Sequence, residues 1–116
     1  MVNPPLLRRG DIVLVDFAPA QAGEANHTRP AVVVTNNLAN EYSPAIVVVP
    51  LTGNTERLYP FELLLPVERS GLDHDSKAQP QFVRHVSKAR IRRQLSHLPD
   101  DLMLELDSRL RGHLGL

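Results

Sequence analysis

Ala45 to Leu51 reads Ala-Ile-Val-Val-Val-Pro-Leu, and a similar run, Pro30 to Thr35, reads Pro-Ala-Val-Val-Val-Thr. Near-continuous β-branched runs of this length are too short for helices, and the lack of polar alternation predicts strands buried on both faces. Working outward, Asp11 to Phe17 (DIVLVDF) predicts another strand, entered through Arg8-Arg9-Gly10 as a turn. Pro60 to Pro66 (PFELLLP), with a proline at each end, suits an edge position or strand ends. Gln81 to Val86 and Ile91 to Leu95 predict two further short strands. Such closely spaced short strands predict a mainly β fold, a small antiparallel sheet that curls into a barrel. The exception is Asp100 to Leu114, where Leu102, Leu106, Leu110 and Leu114 recur at every fourth position with Met103 beside them, the apolar stripe of a helix. Pro99, Asp100 and Asp101 suit the start of that helix, and Arg109 and Arg111 suit its last turns.

The 116 residues fit one domain, 1–116, large enough to hold a core without disulfides. The absence of cysteine excludes thiol catalysis and cysteine-ligated zinc, and it fits a reducing compartment. Met1 to Gly10 lacks the basic start and apolar run of a signal peptide. The longest apolar stretch, Pro44 to Leu51, falls far short of the ~20 residues of a membrane helix. The expectation is a soluble, cytoplasmic protein with no membrane contact.

Thirteen basic and thirteen acidic side chains sum to zero, but they are segregated. Asp11 to Glu68 carries seven acids against Arg29 and Arg57, a net of −5, whereas Lys77 to Arg93 carries six cations and no acid. A basic run of this kind reads either as a contact for a phosphate backbone or as a solvated strand and turn. Ala18 to Arg29 is small and polar, and long for a hairpin connection, so it is a candidate site by length alone. At its end stands Arg29, held by Pro30, whose planar fork suits two phosphate oxygens. Thr52 ends the Ala45 run and offers a hydroxyl to the same anion. Taken alone, Arg29 reads as a surface ion-pair partner and Thr52 as a strand-end turn former. The histidines His74, His85, His97 and His113 show no i, i+3 or i, i+4 pairing, so no metal site is assigned, and Asp73-His74-Asp75 reads as a polar turn.

Arg9 to Pro19 (RGDIVLVDFAP), Gly23-Glu24, Arg29 to Val34 (RPAVVV), Val49 to Thr52 (VPLT) and Pro60-Phe61 form a series, followed by Gly71-Leu72, Asp75-Ser76, Arg84 and Lys88-Ala89-Arg90. In this order they resemble the MazF/PemK (Kid) family of toxin endoribonucleases of type II toxin-antitoxin systems, over nearly the whole chain. The resemblance implies an SH3-like barrel with a C-terminal helix, of the type shared by MazF and CcdB. It also implies a homodimer that cuts single-stranded RNA, including mRNA, selectively and without metal or cofactor. The ribose 2′-hydroxyl attacks the adjacent phosphorus, leaving a 2′,3′-cyclic phosphate and a 5′-hydroxyl. That reaction needs charge stabilisation at phosphorus, a base at the 2′-oxygen and an acid at the 5′-oxygen. Carried over by motif, Arg29 is the phosphate stabiliser and a candidate proton donor, Thr52 the phosphate-oriented hydroxyl, and Glu24 the general base. Asp16, Phe17, Pro19, His27, Thr28, Asn54, Phe82, Arg84 and Lys88 are the implied RNA-binding residues. The implied protein partner is a MazE-like antitoxin whose flexible acidic segment covers the basic groove, and with which the toxin binds DNA.

This chain departs from the family pattern in two places. Gln81-Phe82 precedes Val83-Arg84-His85 where many members have an Asp-Gln pair, and Asn26-His27-Thr28 lacks the usual glycine spacing. Phe82 reads as a core ring, with base stacking as its alternative. His27 reads as a solvated loop histidine, with an acid or base role beside Arg29 as its alternative. Two other readings share the barrel: a CcdB-like gyrase poison without enzymatic activity, and an inactive RNA-binding relative.

Overall fold

A computed structural model describes residues 6–17 and 28–116. Seven strands form one antiparallel sheet: β1 (Asp11–Asp16), β2 (Thr28–Val33), β3 (Ala45–Thr52), β4 (Leu63–Leu65), β5 (Ser76–Ala78), β6 (Arg84–Ser87) and β7 (Ile91–His97). Three helices accompany them, α1 (Asn37–Tyr42), α2 (Val67–Ser70) and α3 (Asp100–Leu114). The strands run in the order β4-β5-β3-β2-β1-β7, and β6 also pairs with β3. This is the expected mainly β architecture with a C-terminal helix, and α3 spans the residues its leucine spacing predicts. No helix among the described residues is long and apolar enough to cross a membrane.

The valine runs account for the sheet. On one face Ile12, Val32, Val49 and Leu51 pack against Leu102, Met103 and Leu106 of α3. On the other, Val13, Val15, Ala31, Val33, Ile46 and Val48 close over Leu7 and Val86. Burying such side chains contributes roughly 1.5–3 kcal/mol each, so the two-faced burial read from Pro30 to Thr35 and Ala45 to Leu51 is the main source of cohesion. The helical stripe is used unevenly: Leu106 is fully buried, while Leu114 is 55% exposed.

The Arg8-Arg9-Gly10-Asp11 entry is built as a unit. Gly10 has φ +95°, a left-handed conformation that side chains resist. Asp11, fully buried, accepts the Arg8 N–H at 2.8 Å and meets His97 Nδ1 at 2.8 Å. Arg9 grips both carboxylate oxygens of Asp107 on α3, at 2.5 and 3.1 Å, and donates from Nε to the Val34 carbonyl at 2.9 Å. One side chain therefore ties helix to sheet.

Two expectations need correction. Gln81 to Val86 is not one strand, because Pro80–Phe82 forms a 3-10 turn before β6 begins at Arg84. Proline at the head of that turn has no N–H to give the ladder, so pairing lapses there. Pro60 to Pro66, by contrast, holds the expected edge strand, of which Leu63–Leu65 is the paired part. Phe82 is not a core ring; it is 56% exposed on the 3-10 turn. Helices α1 and α2 and strand β5, each of three to six residues, carry no periodicity that a sequence reading could detect.

Candidate active site

β2 begins at Thr28, so Arg29 stands inside the strand, opposite Val15 of β1. On its other edge β2 pairs Ala31 with Pro50, Val32 with Val49 and Val33 with Val48 of β3. Extending that antiparallel register by two residues brings Arg29 opposite Thr52, on the same face of the sheet. Both side chains line a cavity of about 490 Å³, together with Thr28, His74, Ser76 and Arg93. Arg93 arrives from β7, where it is the register partner of Leu14. The pocket thus gathers the ends of β2 and β3, the loop ahead of β5, and the middle of β7.

The electrostatics suit an anion. Arg29 and Arg93 are both exposed guanidiniums lining one cavity. Their planar forks hold phosphate oxygens in pairs. Thr52 Oγ1 accepts the Asn54 N–H at 3.3 Å, which leaves its hydroxyl proton free to donate. Opposite Thr52 in the ladder is Lys77 of β5, but this cation turns inward. Its Nζ donates to Glu62 Oε1 at 2.9 Å and to the Arg57 carbonyl at 2.5 Å. Burial alone would push the Glu62 carboxyl up. Hydrogen bonds from Gln81 and Lys77, then from the Tyr59 N–H and Gln79, outweigh burial and bring it down to about 2.

Other residues singled out in the sequence are scattered around this pocket or away from it. Asp16, the partner of Thr28 in the β1–β2 register, forms an ion pair with Arg92 at 2.5 Å. The Arg84 guanidinium lies over the Phe17 ring, 5.2 Å from its centre. Lys88 donates to the Glu41 carbonyl at 3.2 Å, beside α1. Arg84 pairs with Val48 in the first half of β3, away from Thr52, and Phe82 lies on the 3-10 turn between that ladder and the β3–β5 ladder. Glu24, Pro19 and His27 lie outside the described residues, as does most of the long loop. The basic segment is also less uniform than its charge implies, since Lys77 is buried in its ion pair.

His74 and Arg93 are among the pocket residues to which the sequence reading gave no role in the site. Arg93 was legible only as one cation in a run, and His74 only as part of a turn. Both reach the pocket through pairings distant in sequence, Leu14 with Arg93 and Thr52 with Lys77. A second cavity, about 460 Å³, lies between β3 and the end of α3 and is lined by Val34, Val47, Val83, Leu110 and Leu114. Its Arg9 and Asp107 neutralise each other, and Arg111 is its remaining cation, against the two arginines, Arg29 and Arg93, of the first cavity. Among the described residues no three His, Cys, Asp or Glu side chains gather as a metal cluster.

Residues 8–114 match the family described as PemK-like, MazF-like toxin of type II toxin-antitoxin system. The chain belongs to the PemK/MazF toxin family. It is 40% identical over 116 residues to endoribonuclease MazF9 of Mycobacterium tuberculosis, covering 96% of this chain and 98% of that protein. Its fold is similar to that in the crystal structure of MazE-MazF from Deinococcus radiodurans, at TM-score 0.82 and 26% identity, covering 97% of this chain and 98% of that one. A crystal structure of MazF from the same organism matches at TM-score 0.79 and 26% identity, over 97% of this chain and 99% of that one. Membership makes the chain a MazF-type toxin endoribonuclease of a toxin-antitoxin system.

Proposed function

We propose that this protein is a metal-independent, sequence-selective endoribonuclease that cuts single-stranded RNA by 2′-hydroxyl attack, leaving a 2′,3′-cyclic phosphate and a 5′-hydroxyl. The observation that carries this reading is the convergence of Arg29, Thr52 and Arg93 on one cavity. Two guanidiniums and a hydroxyl surround the volume where a phosphodiester would bind, and they supply the charge stabilisation that a pentacovalent phosphorus requires. Glu24 is the proposed base at the 2′-oxygen. Thr28 and Asn54 flank the scissile phosphate, while Asp16, Phe17, Pro19, His27, Arg84 and Lys88 form the wider RNA track. Phe82, exposed rather than buried, offers its ring to a base.

The partners follow from the same reading: a second copy of this chain, and a MazE-like antitoxin, supported by the MazE-MazF complex among the similar structures. The cytoplasm, where mRNA is available, is the proposed compartment. A CcdB-like gyrase poison would have no use for two arginines and a hydroxyl lining one cavity.

The test is incubation of the purified protein with a long single-stranded RNA in EDTA, followed by end-group analysis. Discrete fragments ending in cyclic phosphate are expected. Intact RNA at micromolar protein would overturn the proposal, and gyrase-dependent DNA breaks would replace it with the CcdB-like reading.

A further inference from the structure

We infer that His74 is the general acid of this pocket, the group that protonates the departing 5′-oxygen; the inference rests on the RNA-cleaving reading above. His74 lines the same cavity as Arg29 and Thr52, and its imidazole lies directly against Gly53, the residue after Thr52. A Cβ built on Gly53 would come within 2.5 Å of His74 Nε2 and 2.9 Å of Cδ2. The ring can therefore occupy this position only because residue 53 is glycine. From behind, the buried Ser76 hydroxyl donates to the His74 carbonyl at 3.4 Å, and Ser76 opens the strand whose next residue pairs with Thr52. The histidine is thus held beside the candidate phosphate site through β5.

The chemistry of the pocket leaves one role open. As the 2′-oxygen bonds to phosphorus, it loses its proton to a base, and the bond from phosphorus to the 5′-oxygen breaks. The leaving alkoxide must then gain a proton. Guanidinium groups as a class hold their protons too tightly to give one up near neutrality, and serine and threonine hydroxyls are weaker acids than imidazolium. Carboxylates as a class carry no proton near neutrality. Imidazole, which titrates near 6.5 as a free side chain, is the one group type among the described pocket residues able to give and regain a proton there. His74 gives its ring proton to the 5′-oxygen and recovers one from water after the product leaves. Arg29, Arg93 and Asp73 share the cavity with it, and Asp75 follows it in sequence.

The experiment uses an RNA with one cleavable linkage in two forms, with oxygen or sulfur at the bridging 5′ position; a departing thiolate needs no proton. His74→Gln is expected to slow cleavage of the oxygen form about 10²- to 10⁴-fold, the usual span of acid-base catalysis, and to cut the sulfur form within a few-fold of the unaltered protein. Gly53→Ala, which displaces the ring without removing it, should show the same selective loss. Unimpaired cleavage of the oxygen form by His74→Gln overturns the inference, as does an equal loss on both substrates. If the unaltered protein cuts neither form, the RNA-cleaving reading itself has failed and the inference falls with it.

Discussion

Lys77 stands directly across the β3–β5 ladder from Thr52, yet its ammonium group is turned away from the pocket and closed onto the carboxylate of Glu62. The strand end that carries a candidate phosphate ligand is therefore secured by a buried ion pair. Glu62 is further wrapped by Gln81 and the Tyr59 N–H, so its charge is compensated on several sides. Buried pairs of this kind contribute little when compared with well-packed apolar residues, but breaking one leaves an uncompensated charge.

Lys77→Met is accordingly expected to destabilise the protein by about 3–5 kcal/mol, as for other broken buried pairs. Removing both charges in Glu62→Leu with Lys77→Met should recover most of that loss. Urea denaturation of the two variants measures this, and Lys77→Met as stable as the parent would refute the role assigned to the pair.

Acid sensitivity follows from the same carboxylate. The folded-state pKa of Glu62 is lowered from 4.5 to about 2, so the unfolded chain binds the proton more readily. The stabilisation is fully present above about pH 4.5 and is lost as pH falls from there through about 2. A shift of this size corresponds to about 3 kcal/mol at most. Stability measured from pH 6 to pH 2 should fall through this window, and Glu62→Gln should flatten that slope. An unchanged slope in the variant would assign the acid transition elsewhere.

Arg29 is exposed and takes no part in the core, so Arg29→Ala should leave folding unchanged while lowering RNA cleavage by about 10²- to 10³-fold, the usual loss when one charge-stabilising donor is removed. Arg29→Lys should rescue little, because an ammonium cannot hold two phosphate oxygens in one plane. Cleavage kinetics paired with circular dichroism measure both effects. Full activity in Arg29→Ala would mean that the pocket is not the reaction site.

Gly10→Ala would force a side chain into φ +95° and bring its Cβ within 3.1 Å of His97 Cε1. A destabilisation on the order of 1–2 kcal/mol is expected from the backbone alone. Thermal unfolding would register it, and an unchanged midpoint would show that the turn can rearrange.

The parts of the fold that could be read in advance are those whose signal is local. Val32, Val48 and Val49 announce buried strands, and the leucines from Leu102 to Leu110 announce α3. The 3-10 turn at Pro80–Phe82 leaves no trace in the apolar pattern; Pro80 is its local mark, but the lapse in pairing that follows shows only against the partner strand, near Pro50. Charge was legible as a sum but not as a location. Lys77 and Glu62 count as surface ions in sequence and are a buried pair in space. In the site, Arg29 and Thr52 could be assigned from motif, since each ends or opens a recognisable strand. His74 could not, because nothing in Asp73-His74-Asp75 indicates that a glycine has left room for its ring.

β5, the 3-10 turn and β6 run one after another along the same partner strand, β3, with the turn separating two short ladders. Only Leu51–Ala78 and Thr52–Lys77 join β3 to β5, whereas four consecutive pairs join it to β6. Opening the shorter ladder need not disturb the longer one. β5, however, is buried and also pairs with β4 through Leu63–Ala78, Leu64–Lys77 and Leu65–Ser76, so amide hydrogen exchange should be slower over Ser76 to Ala78 than over the more exposed Arg84 to Ser87, leaving the pocket end of the sheet the stiffer of the two.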